Sequence, residues 1–238
     1  ISINNIAILA DGVGGHESGE IASSETVNYL KKVLNETINA LGNTDNINWE
    51  LLHNFLEEGI IQCHKKIQEL ASKNPENKGM GTTLVFLIFI EDHIFYGHVG
   101  DSRLYRYKNK KLIQLTKDHS LYQQMKDEGQ RYTEEEINNV PKNIITQAIG
   151  ITDTVKPELV HEILSDQEIF LLCSDGLSDM VSDAEIKKII SSEQDINIVG
   201  ENLLEAALSA GGRDNVSIIL AKSEVGKKKN NWGRFFKR

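Results

Sequence analysis

Apolar residues along this chain follow two rhythms, and the places where one gives way to the other mark its elements. Residues 6–10 form an unbroken apolar run that stops at Asp11-Gly12, the pattern of a buried strand ending in a turn. From about 19 to 41 the apolar positions Val27, Leu30, Leu34, Ile38 and Leu41 recur at three- and four-residue steps, which predicts an amphipathic helix. A second helix is predicted over 49–71 from Leu52, Phe55, Leu56, Ile60, Cys63, Ile67 and Leu70. The period then shortens. Segments 82–90 and 93–99 read as strands around the polar break Glu91-Asp92, and 104–107 with 112–116 as a second pair around 108–111. Two more strands are predicted at 158–164 and 169–173 and a last one at 216–221. Ser182 and Glu185 have capping-box spacing ahead of a helix to about 191, and another helix covers 196–209. The polar segment 120–143, with a second capping box at Thr133 and Glu136, reads as an insertion over the core.

Helices and strands thus come in blocks, without strict alternation and without an internal repeat. That order predicts an α+β fold in which mainly antiparallel sheets are layered with helices. At 238 residues, 39% hydrophobic and 26% charged, the chain is long enough for one large core, and no apolar stretch reaches the length of a membrane helix. Two cysteines, Cys63 and Cys173, lie inside apolar segments and are expected as reduced core residues of a cytoplasmic protein. The net charge of −9 argues against nucleic acid as a partner. It also hides an asymmetry: Lys227, Lys228, Lys229, Arg234, Lys237 and Arg238 place +6 in the last twelve residues, leaving −15 elsewhere.

The acidic excess matters because four carboxylates stand where apolar strands stop. Asp11 follows Ile8-Leu9-Ala10, Asp101 follows His98-Val99-Gly100, Asp175 follows Leu171-Leu172-Cys173-Ser174, and Asp214 precedes the closing strand. Asp and Gly are ordinary turn residues, so any one of these positions is unremarkable alone. Four of them, each beside or near a glycine, form a pattern. Carboxylates gathered at one end of a sheet repel unless hard cations neutralise them, and Mg²⁺ or Mn²⁺ take such oxygen ligands. Other phosphate chemistries lack their signatures. No Gly-x4-Gly-Lys-Ser/Thr loop exists, Glu17 stands where a dinucleotide fingerprint needs its third glycine, and Glu69 and Asp179 stand six residues after the cysteines where a thiolate phosphatase needs Arg. No paired Cys or His in the sequence suggests zinc.

Seven motifs then resemble one family in its order. They are Ala10-Asp11-Gly12-Val13-Gly14-Gly15-His16 with Gly19-Glu20, Gly81-Thr82-Thr83, Gly100-Asp101-Ser102-Arg103, Asp118-His119-Ser120, Ser174-Asp175-Gly176 and Gly211-Gly212-Arg213-Asp214-Asn215. Together they resemble the PP2C-type (PPM) metal-dependent serine/threonine protein phosphatases, and the Gly-Gly-His variant and compact length are similar to the bacterial branch. The resemblance spans residues 10–215. It implies two mainly antiparallel sheets packed as a sandwich flanked by antiparallel helix pairs, within a phosphatase domain over 1–224 and ahead of a basic, aromatic tail at 225–238.

The resemblance also implies a site. Asp11 would bridge two Mn²⁺ or Mg²⁺ ions, with the Gly12 carbonyl on the second and Asp175 and Asp214 completing the first. Asp11, Asp175 and Asp214 are thereby the expected catalytic set, water bridging the metals being the attacking group. Asp101, with Asp175, resembles the pair that holds a third, weaker ion, and 120–143 resembles a flap beside the site. The chain departs from the family in two places. The family's phosphate-holding Arg and an acidic residue on a strand before Asp11 have no counterpart among the ten residues preceding it, so an N-terminal strand carrying them is expected upstream. Val13 stands where some eukaryotic members carry a histidine proposed as general acid, which leaves the leaving-group acid unassigned.

Thr82 and Thr83 are expected to pack the sheet, Arg103 to make a structural ion pair, His119 to anchor the flap, and His16 to stand near the site without a direct role. The implied partners are proteins phosphorylated on Ser or Thr and a kinase that the enzyme opposes, the chain itself acting as a monomer. The tail is expected to be a solvated end, contact with anionic lipid being the alternative. Two further readings stay open: a weak PP2C-like module that binds a partner, and a regulator of one small signalling protein.

Overall fold

The computed structural model describes residues 2–3, 5–14, 16–41, 47–129, 131–223 and 236–237. Two five-stranded antiparallel sheets form its centre. The first runs in the order β1 (Ser2–Ile3), β2 (Ile6–Leu9), β5 (Leu84–Ile90), β6 (His93–Val99), β9 (Glu158–Ile163). The second runs β12 (Phe236–Lys237), β11 (Ile218–Lys222), β10 (Ile169–Cys173), β7 (Arg103–Lys108), β8 (Lys111–Gln114). A two-stranded ribbon joins β3 (Gly12–Val13) to β4 (Gly81–Thr82). The helices are α1 (His16–Leu41), α2 (Trp49–Lys73), α3 (Leu121–Asp127), α4 (Glu134–Asn139), α5 (Asp175–Ser178), α6 (Asp183–Ser192) and α7 (Ile196–Ser209).

The continuous apolar run of β5 is explained by burial on both faces. Leu84, Phe86, Ile88 and Ile90 face the core shared with Leu30 and Leu34 of α1 and Leu56, Ile60 and Ile67 of α2. The alternate residues Val85, Leu87 and Phe89 face the core between the sheets, where Leu104, Phe170, Leu172 and Ile219 come from the second sheet. On the far side of that second sheet, Leu171, Cys173, Ile218 and Leu220 pack on Ile186 and Ile190 of α6 and Val199 and Leu203 of α7. The result is a sandwich of two sheets with a helix pair outside each, as the α+β expectation had it.

Three local departures follow from tertiary contacts. The run at 82–90 is two strands, because Thr83 leaves the ladder and turns its backbone to Asp11. Ser182 caps α6 by accepting from the Glu185 amide at 3.3 Å, but the Glu185 side chain sits by Lys188 and the reciprocal bond is not made. The box at Thr133 and Glu136 is complete. Most of the tail lies outside the described residues. Phe236–Lys237, expected in a solvated end, pair with β11 instead, which offers an open ladder edge there. Among the described residues no helix is long and apolar enough to cross a membrane.

Candidate active site

The four carboxylates predicted from strand ends influence one another's charge in the fold. Asp11 leaves β2, Asp101 follows β6, Asp175 begins α5 just past β10, and Asp214 stands four residues ahead of β11. Burial, then the charge of Asp175, a hydrogen bond shared with it, and the charges of Asp214 and Asp101 push the Asp11 carboxyl up to about 7. Burial and then Asp175 push Asp101 to about 7 as well. Asp175 is raised by burial, then by Asp214 and Asp179. The Asp175 Oδ1 atom is buried and lacks a hydrogen-bond partner. A cluster in which three carboxyls resist ionisation and one buried oxygen is orphaned fits hard divalent cations, which favour oxygen donors and supply the missing charge.

The backbone at Asp11 is fixed from the next sequence block. Its N–H donates to Thr83 Oγ1 at 2.9 Å, and its carbonyl accepts from the Thr83 N–H and the Thr82 hydroxyl, both at 2.8 Å. Thr82 and Thr83 are therefore more than sheet packing: they hold the main chain that presents Asp11. Gly12 follows because a side chain is excluded, since a Cβ there would lie 2.3 Å from the Gly19 carbonyl oxygen.

Thr83 also reaches the Gly100-Asp101-Ser102-Arg103 motif, its hydroxyl 2.7 Å from Ser102 Oγ. Arg103 makes the expected ion pair, a fork on Asp118 at 2.6–3.0 Å, and reaches the Tyr105 hydroxyl at 2.9 Å. Asp214 is exposed, and one of its oxygens accepts from the Asn215 amide at 2.7 Å. The side chain of His16, like Gly15, lies outside the described residues, although His16 opens α1.

A cleft of about 230 Å³ joins Asp175 and Asp214 to Lys142, Asn143, Asp179 and Arg213. Sequence reasoning passed over Asp179 and Lys142. The first had a readable signal, since it stands one helical turn after Asp175. Lys142 had none, because only the fold brings the end of the 120–143 insertion against α5.

Comparison with known proteins identifies the family and the fold. Residues 2–209 match the family model described as protein phosphatase 2C. The chain is 38% identical over 215 residues to protein phosphatase PhpP of Streptococcus pneumoniae, covering 90% of this chain and 83% of that protein. Its structure is similar to that of the serine/threonine phosphatase PstP/Ppp of Mycobacterium tuberculosis, with a TM-score of 0.78, 33% identity and coverage of 91% and 87%. A structure of the PstP catalytic domain in complex with two manganese ions matches with a TM-score of 0.74, 33% identity and coverage of 91% and 86%. With a family model matching most of its length and sheets, helix pairs and clustered aspartates to go with it, the chain belongs to the protein phosphatase 2C family and is a metal-dependent serine/threonine protein phosphatase.

Proposed function

We propose that the chain removes phosphate from phosphoserine and phosphothreonine of bacterial proteins, opposing a serine/threonine kinase, by direct attack of water at the Asp11 cluster. The observation that carries this reading is the set of carboxyls, buried Asp101 and half-buried Asp11 and Asp175, held above their ordinary range with one Asp175 oxygen unpartnered. Asp11, the Gly12 carbonyl, Asp175 and Asp214 would hold two ions, Mn²⁺ or Mg²⁺, and Asp101 with Asp175 a third. When bound, such ions supply an activated water and neutralise charge developing on the phosphate oxygens.

The chain's own residues do the rest. Thr82 and Thr83 fix the Asp11 backbone, so the carboxylate would meet a cation without reorganisation of the main chain. Lys142 and Arg213 give the cleft its cationic side, suited to a phosphate dianion. Residues 1–224 form the phosphatase domain with 120–143 as its flap, and 225–238 a basic, aromatic tail of which Phe236–Lys237 joins the second sheet. A reducing, cytoplasmic setting fits two buried free thiols, and the chain is taken to act as a monomer.

Hydrolysis of p-nitrophenyl phosphate and a phosphothreonine peptide tests the proposal. Activity should vanish on exhaustive EDTA dialysis and return with Mn²⁺ or Mg²⁺. Asp175→Asn and Asp214→Asn should each remove most turnover. Full activity after chelation would overturn it.

A further inference from the structure

Outside the carboxylate cluster, His98, His119 and Glu158 bring their ligand atoms within 4.8 Å of one another. The group has the chemistry of a metal site, but its hydrogen bonds already commit the rings. His98 Nε2 lies 2.7 Å from the Lys117 carbonyl, which can only accept, so that nitrogen carries the proton. His119 Nδ1 accepts from the Gly100 N–H at 3.1 Å, so its proton sits on Nε2, which points at Glu158 from 3.5 Å. A cation on His119 Nε2 would displace that proton to Nδ1 and set N–H against N–H at Gly100. The two rings stack with centroids 4.5 Å apart, which suits neutral imidazoles.

These bonds converge on one residue. The His119 main-chain N–H donates to the Gly100 carbonyl at 2.9 Å while its ring takes the Gly100 amide, so both polar groups of Gly100 are held by His119. Gly100 has φ +102, and its Cα packs so closely on Thr83 that a Cβ would lie 2.8 Å from the Thr83 methyl. Asp101 comes next in the chain. On its other side, the His119 carbonyl accepts from the Thr146 N–H at 2.8 Å, and the Leu121 N–H donates to the Ile144 carbonyl at 2.8 Å. These two bonds close the base of the 120–143 insertion.

We infer that His119 is a positioning residue that locks the Asp101 turn to the base of the 120–143 insertion, through a ring held in the Nε2–H tautomer by the Gly100 amide. The inference about catalysis rests on the reading of Asp101 as a ligand of the third ion; the lock itself does not. A consequence is that the insertion and the Asp101 carboxylate shift together, so that displacement of one is felt at the other.

Two variants that resemble different halves of the ring provide the test. His119→Asn places a carbonyl oxygen near the Nδ1 position and keeps the acceptor for Gly100, whereas His119→Gln places its amide near Nε2 and abandons it. Three quantities are read on the folded full chain: exchange of the Gly100 and Thr146 amides in the metal-free protein, the number of tightly held Mn²⁺ ions, and the Mn²⁺ concentration for half-maximal turnover. His119→Asn should stay within about twofold of the parent in all three. His119→Gln should exchange Gly100 about tenfold faster, the factor expected for one lost hydrogen bond. It should raise the half-maximal Mn²⁺ concentration by a similar factor while keeping two tight ions. A split in amide exchange with no change in Mn²⁺ dependence supports the lock and overturns the third-ion reading of Asp101. Equal behaviour of the two variants, whether both normal or both impaired, overturns the lock.

Discussion

Asp11, the proposed bridge of the metal site, shows how a residue kept for function would burden the fold that carries it. Its carboxyl is half-buried beside Asp175, Asp214 and Asp101, and loss of solvent is the largest reason its proton is held to about 7. Removing the charge should therefore act with opposite sign on activity and on metal-free stability. Asp11→Asn is expected to abolish turnover, while above pH 7 it raises the stability of the chelated protein by on the order of 2 kcal/mol, the repulsion and desolvation having gone. Denaturant unfolding in EDTA and in Mn²⁺ checks this, with a gain in the first and a loss in the second. A loss in both would mean that Asp11 is a structural turn residue. Arg103 is the opposite kind of residue, since its fork on Asp118 satisfies both charges without a ligand.

At the scale of elements, a cap matters to the whole fold only when its helix buries something. Thr133 caps α4 in a full capping box, yet α4 buries no residue. Ser182 caps α6 with a single bond, and α6 seats Ile186 and Ile190 in the core outside the second sheet. Thr133→Ala should therefore loosen 120–143, seen as faster proteolysis there, and leave the global unfolding midpoint nearly unchanged. Ser182→Ala should lower global stability by about 1 kcal/mol. Equal shifts in the global midpoint would show that the insertion unfolds with the sandwich and not ahead of it.

For the molecule as a whole, the proposed site sets protons and cations in competition for the same carboxyls. Asp11 and Asp101 titrate near 7 in the metal-free fold and near 3.8 when free of it. A carboxyl raised in this way contributes most to stability below about pH 4, and the contribution is lost as pH rises through 7. His98 works in the other direction: burial and then His119 lower it to about 4, so its contribution is present above 6.5 and lost as pH falls toward 4. Cation binding at the proposed site would displace the carboxyl protons. Apparent Mn²⁺ affinity should rise about tenfold per pH unit for each proton displaced and level off above about 7. Calorimetric titrations at pH 6, 7 and 8 measure this, and an affinity independent of pH would contradict the assignment of these carboxyls to the cations.

Much of this was legible before any coordinates. The apolar run at 84–90 and the three-to-four spacing of α1 and α2 arise from local periodicity, which burial imposes directly on sequence. The four aspartates were legible for a related reason: each sits at a strand end, where a turn residue and a ligand have the same composition. Beyond the hairpins β5-β6 and β7-β8, whose short polar breaks mark them, the sequence could not decide which strand lies beside which. Backbone ladders pair N–H with C=O whatever the side chains, so the orders β1-β2-β5-β6-β9 and β12-β11-β10-β7-β8 are set by how the three cores close. The same closure decides that Thr82 and Thr83 hold Asp11 across 71 and 72 residues, and that His119 reaches Gly100 across 19. Each of these contacts sets a side chain, a threonine hydroxyl or the His119 ring, against a main-chain group of a residue distant in the chain, and that main-chain partner, a group common to all residues, leaves no mark in the sequence.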